Sequence, residues 1–171
     1  MPKSYRNGFI ILFAAIYCVL YAAYACIPDS YLHEKIYYYA IVWPTAALID
    51  FAAPSAHVIG VQNRLQSPAV ILNIVRGCDG APVMFLLVAA IIAHRAPWGP
   101  TLRGAAGGVA LIYALNQLRI VVLYFLLAQR PDWFTAMHVY FIPTFLILAG
   151  ALYFALWAGA GVATSQDALT D

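Results

Sequence analysis

Leu115-Asn116-Gln117-Leu118-Arg119-Ile120-Val121-Val122 lies inside an otherwise apolar run, residues 104–128. As a helix that run is long enough to cross a bilayer core of roughly 30 Å. A guanidinium and two carboxamides inside such a span are expensive, so they belong on a face turned to protein or to a water-filled cavity. Asn116 and Arg119 stand three residues apart and share one helix face. A guanidinium on a buried face needs an anion. The alternative is a side chain that snorkels from the helix end to the interface.

The composition agrees with a membrane chain. Of 171 residues, 64% are hydrophobic and 9% charged, with a mean hydropathy of +0.81. A soluble domain carries roughly 25% charged residues. Nine basic and seven acidic residues cannot cover a soluble surface, so lipid must face most of the chain. The net charge of +2 comes without a dense basic run, which gives nucleic acid no footprint. Three cysteines, Cys18, Cys26 and Cys78, lack framework or metal-ligand spacing, so no metal and no cofactor is expected.

The expected fold is an all-α integral membrane bundle in a single domain, 1–171, with about four transmembrane helices. An interfacial helix and a short extracytoplasmic β-hairpin complete it. The first span is residues 9–27, preceded by Lys3 and Arg6. It is longer than a signal-peptide core and reads as uncleaved, despite the loose cleavage pattern before Cys26. Residues 36–53 hold Pro44, Asp50 and a Tyr37-Tyr38-Tyr39 run. That mixture suits an interfacial or partly inserted helix better than a full span. Residues 55–76 contain two β-branched stretches around the polar segment Asn63-Arg64-Leu65-Gln66-Ser67-Pro68, read as a hairpin and its turn. An open hairpin cannot sit in hydrocarbon, so it lies outside the core. The remaining spans are residues 79–94, 104–128 and 135–157.

Counting rise along these spans sets depths. From Arg103 to Arg119 is roughly 24 Å at about 1.5 Å per residue, which puts Arg119 near the far end of its helix. Cys78 opens the preceding span from that same end, and His138 opens the following one. Four spans with Lys3, Arg6, Arg95 and Arg103 inside put all three at the extracytoplasmic side.

A lone cysteine in a membrane protein is most often an inert small hydrophobe. In Arg76-Gly77-Cys78-Asp79-Gly80, however, Cys78 precedes a helix, where the backbone dipole favours thiolate. The flanking glycines allow a tight turn and close approach of a substrate. Asp79 caps the helix or tunes the thiol. His138 is the histidine placed at the depth of Cys78 and Arg119, which makes it the best general base. His33 and His57, in the outer region, stay open as alternatives, while His94 falls at the other end. Asn116, Asp79 and Arg76 are the expected substrate-binding neighbours.

Taken in order, Gly77-Cys78-Asp79-Gly80, Asn116-Gln117-Leu118-Arg119-Ile120 and His138 at the start of the last span resemble the exosortase/archaeosortase family, in its compact exosortase H-like type. The resemblance covers roughly residues 36–156. It departs at Asp79, where Ser or Ala is more familiar, and after His138, where a glycine is frequent. It implies a membrane-embedded cysteine transpeptidase or protease with Cys78, Arg119 and His138 as catalytic residues. It also implies a bacterial cytoplasmic membrane setting. The implied partners are exported proteins ending in a sorting motif, a transmembrane helix and a basic tail. The tail would be cleaved and the protein passed, through a Cys78 acyl-enzyme, to an acceptor.

Two other classes share the same span pattern. A non-catalytic membrane assembly or scaffold protein would leave Cys78 unreactive. A small-anion transporter would use Arg119 as its anion site, but transporters often show repeated halves and this chain has no internal repeat.

Overall fold

The computed structural model describes residues 3–167, with side chains described over 6–160. The chain is mostly helical, with a small three-stranded sheet. In order come α1 (Lys3–Ala25), α2 (Asp29–Tyr31), a π-helical segment (Leu32–Val42), α3 (Trp43–Ala52), β1 (Ile59–Val61), β2 (Arg64–Gln66) and β3 (Ile71–Asn73). Then follow α4 (Ala81–Ala93), α5 (Trp98–Gln129), α6 (Pro131–Ala136), a second π-helical segment (Met137–Phe141) and α7 (Ile142–Asp167). Among the described residues, three helical stretches are long and apolar enough to cross a membrane: Arg6–Ala25, Trp98–Gln129 and Pro131–Ala160. The 13-residue α4 rises only roughly 20 Å, less than a full hydrocarbon core.

Helix ends shift by a few residues from the expected spans, and two departures have a clear physical reason. The third expected span starts earlier, because Trp98-Gly99-Pro100 opens α5 instead of belonging to the connection before it. Proline in a first helical turn loses no bond, since the N–H there has no helical partner anyway. The expected hairpin is a three-stranded antiparallel meander, β1-β2-β3. The segment read as its turn contains β2, which pairs with β1 through Val61 and Arg64 and with β3 through Leu65 and Leu72. Arg64 and Gln66 point out while Leu65 is fully buried between them. One apolar residue among polar neighbours is too short a period-2 signal to read against turn formers such as Asn63 and Pro68.

The chain divides into two compact units. The first comprises residues 1–25, 82–113 and 146–171. Its core gathers Leu87 of α4 and Ile112 of α5 with Tyr153 and Trp157 of α7. Gly108 allows the close approach, since a Cβ there would meet Leu87 Cδ2 at 2.8 Å. His94 packs edge-on against Phe154 and Trp157 in this unit.

The second unit comprises residues 26–81 and 114–145. The sheet rests on the first π segment at Gly60, where a Cβ would meet Val42 Cγ1 at 2.8 Å. Both π segments end one residue before the residue that precedes a proline, Pro44 in one case and Pro143 in the other. A proline ring clashes with the carbonyl four residues back and offers it no N–H. Widening the turn relieves that clash: Trp43 N–H bonds the Tyr38 carbonyl, and Ile142 N–H the Met137 carbonyl. The Ala40 carbonyl, four residues before Pro44, accepts instead from Gln117 Nε2 of α5 at 2.9 Å. Gln117 Oε1 in turn accepts from the buried Thr45 hydroxyl. Gln117 therefore locks the continuous π-then-α helix of residues 32–52 onto the same stretch of α5 that carries Arg119.

Candidate active site

All the pieces lie in the second unit. Residues 76–80 form a tight turn between β3 and α4 in which Gly77 and Gly80 have positive φ, +86° and +79°. These conformations strain any residue with a Cβ, so glycine is required on both sides of Cys78-Asp79. Cys78 N–H closes the turn onto the Val75 carbonyl at 2.9 Å. Arg76 is tied back, its Nε 2.9 Å from Asp29 Oδ1 and its Nη2 donating to the Ile27 carbonyl. That anchors the turn to the start of α2.

Cys78 is half-buried. Its Sγ stands 3.4 Å from His138 Nε2, within hydrogen-bonding reach of a sulfur. His138 sits in the second π segment, a departure from α-helix that often marks functional positions. Its ring stacks on Phe134 four residues earlier, with centroids 5.3 Å apart and planes 6° from parallel. Its Nδ1 is buried with no hydrogen-bond partner among the described residues. Ring packing on Phe134 therefore orients the imidazole, in place of the carboxylate that orients the base in many triads.

Arg119 is 5% exposed and Asn116 2%. Arg119 Nε and Asn116 Oδ1 have no hydrogen-bond partner among the described residues. The ion pair seen among those residues, Arg76 with Asp29, does not involve Arg119. Its charge is felt instead at Cys78 and at Asp79, without a direct ion pair to either. A buried guanidinium without a bonded anion is costly. Its Nε retains a hydrogen bond to give.

Asp79 is buried and answers both sequence possibilities at once. Its Oδ1 accepts from Ala81 N–H at 3.3 Å, a turn-capping bond at the start of α4. Its Oδ2 accepts from Tyr37 Oη at 3.0 Å, and Tyr37 is itself 1% exposed. Burial pushes the Cys78 thiol above its ordinary value. The Arg119 guanidinium and a backbone hydrogen bond at Val75 pull it down, and the Asp79 carboxylate adds a further push upward. The net shift is up, opposite to the lowering expected from the helix N-terminus alone. Desolvation in this half-buried turn outweighs the dipole. Cys78 thus rests as a thiol at neutral pH.

Asp79→Asn removes the negative charge; its one oxygen keeps the Ala81 N–H, and its amide NH2 donates to the Tyr37 hydroxyl oxygen in place of accepting from it. The thiol pKa should then fall, because Asp79 is one of the groups holding it up. Iodoacetamide alkylation of Cys78, measured in a Cys18→Ser, Cys26→Ser background, should move to lower pH and speed up by about two- to fivefold at pH 7. An unchanged pH profile would reduce Asp79 to a helix cap.

The structure brings Cys78, Arg119, His138, Asn116 and Asp79 to one place. It gives Arg76 a bracing position in the turn. His33 packs at a tilt against Tyr37, with centroids 5.6 Å apart, and His57 is exposed, with its backbone in the left-handed region. Neither displaces His138 as the partner of the thiol. Sequence reasoning missed Tyr37 and Phe134. Phe134 was available from its one-turn spacing to His138. Tyr37 was not, since a tyrosine in an aromatic run reads as a headgroup anchor. No metal-ligating group of three or more residues occurs among the described residues. Comparison with family models, curated proteins and solved structures returns no match, so the chemistry rests on this geometry.

Proposed function

We propose that the protein is a membrane-embedded cysteine acyltransferase of the exosortase kind, cleaving C-terminal sorting tails and passing the acyl group to an acceptor amine or to water. The observation that carries this reading is the Cys78 Sγ to His138 Nε2 contact of 3.4 Å, set beside a buried guanidinium with no bonded anion. His138 Nε2 takes the thiol proton as sulfur attacks a peptide carbonyl. Arg119 stabilises the oxyanion that develops. The C–N bond breaks, and the proton on His138 goes to the leaving amine. An acceptor then attacks the thioester and restores the thiol.

The short α4 acts as a fourth, partly spanning helix, and the site faces the extracytoplasmic side. Substrates are exported proteins whose tail ends in an apolar helix and a basic cluster, an anchor that would hold the scissile bond at the level of Cys78. The order of the motifs around Cys78, Arg119 and His138 supports that substrate class.

The direct test reconstitutes the protein in nanodiscs with tail-bearing membrane peptides and looks by intact mass for a hydroxylamine-sensitive adduct on Cys78. The expected adduct has the mass of the substrate minus its tail. Its absence with every tail peptide, together with inertness toward activated acyl thioesters, would sink the reading.

A further inference from the structure

Around the thiol, Asn116 Oδ1 and Arg119 Nε are left without hydrogen bonds among the described residues. Both residues are more than nine-tenths buried, at 2% and 5% exposure. Leaving such groups unmade is destabilising, so their retention points to a ligand that supplies the missing halves. Asn116 Oδ1 only accepts and Arg119 Nε only donates. They sit one turn apart on one face of α5.

Asn116 is also fixed against the nucleophile's own turn. A Cβ on Gly80 would meet Asn116 Cγ at 2.9 Å and Oδ1 at 3.1 Å. The carboxamide therefore packs directly against Gly80, two residues from Cys78, where only a glycine leaves room for it. A ligand that satisfies one acceptor and one donor at this spacing is a residue in an extended peptide. Its own N–H and C=O point to the same side of the chain, as they do in a hydrogen-bonded β pair.

Resting on the acyl-transfer reading, we infer that Asn116 is a specificity-determining residue that accepts the backbone N–H of the residue whose carbonyl Cys78 attacks. Arg119 Nε donates to the oxygen of that same carbonyl. The substrate class is then narrowed to acyl donors with a free amide N–H at the attacked residue, and proline and N-methyl residues are excluded there.

The test uses three thiophenyl esters on the full-length protein in nanodiscs, in a Cys18→Ser, Cys26→Ser background that leaves Cys78 as the one thiol: N-acetylglycyl, N-acetylsarcosyl and O-acetylglycolyl. Each reacts by thiol–thioester exchange, forming the Cys78 thioester and releasing thiophenol. Rates are read by intact mass and normalised to those of free cysteine. The sarcosyl ester adds a methyl where the N–H was. The glycolyl ester removes the N–H without added bulk, which separates a lost hydrogen bond from a clash.

The glycyl ester should acylate Cys78 at least about tenfold faster than the glycolyl ester, and Asn116→Ala should bring that ratio close to one. Equal normalised rates for the glycyl and glycolyl esters in the wild type overturn the subsite while leaving acyl transfer intact. So does a ratio that survives Asn116→Ala. Should Asn116→Ala fail to fold, the wild-type ratio alone decides. Acylation by none of the three, in protein whose Cys78 still alkylates with iodoacetamide, overturns the acyl-transfer reading and the subsite with it.

Discussion

Cys78→Ser should abolish turnover, by on the order of 10⁴-fold or more, while leaving the fold intact. The substitution is nearly isosteric at a half-buried position, so little packing is lost. The nucleophile, however, becomes a hydroxyl whose proton is far harder to remove. Serine enzymes overcome this with a base held and charge-balanced by a third group. Here His138 Nδ1 has no such partner among the described residues, and its ring is held by stacking on Phe134. An imidazole oriented only by packing is adequate for a thiol and weak for an alcohol. Release of tail fragments from a membrane-anchored peptide measures the effect. Residual turnover above about one per cent of wild type would show that the chemistry does not pass through this sulfur.

Arg119→Met should lower turnover by about 10²- to 10³-fold without lowering thermal stability. Two separate losses multiply in the rate. Arg119 is the group that most strongly pulls the Cys78 thiol down against the upward push of burial. Removing its charge raises the thiol pKa further, so alkylation of Cys78 should shift to higher pH, the opposite direction from Asp79→Asn. Working at higher pH recovers that part of the deficit. The remainder, from lost oxyanion stabilisation, should persist across the pH range. Stability follows a different logic. The guanidinium is buried without a bonded anion, so replacing it by an apolar chain of similar length removes a desolvation cost. A melting temperature equal to or above wild type, with turnover collapsed, is the signature of a charge kept for function. A large drop in melting temperature would mean that Arg119 serves mainly to hold the bundle together. Arg119→Lys should restore little, because a point charge does not reproduce the planar fork.

Much of the site was legible from spacing along helices. Asn116 and Arg119 share a face because the helix repeats every 3.6 residues, and a buried arginine in a span already demanded an anion. The tight turn at Cys78 was legible from Gly77 and Gly80, which have the positive φ that their placement suggested. Depth counting along straight helices placed Arg119 and His138 at the level of the thiol. It could say nothing about position within the membrane plane. What escaped were features made by non-local partners. Gln117 read as one more polar residue in a span, yet it supplies the hydrogen bond that Pro44 cannot give to Ala40. Tyr37 read as an interfacial anchor, yet it holds Asp79 across 42 residues of chain. The direction of the Cys78 shift also escaped, because desolvation depends on everything packed around the sulfur.

What this sequence determined by itself was the solvent it must live in, the approximate spans, and which polar residues are too costly to be accidental in them. Those follow from composition and from the regular rise and turn of a helix, which are local properties. Only the tertiary structure decided that Asn116 and Arg119, and not their neighbour Leu118, lie beside the Cys78 turn with two polar atoms unspent. It also decided that His138 reaches the sulfur from a widened helical turn forced by Pro143. Those outcomes depend on which helix packs beside which, and burial, orphaned hydrogen bonds and a shifted thiol exist only once that packing is complete.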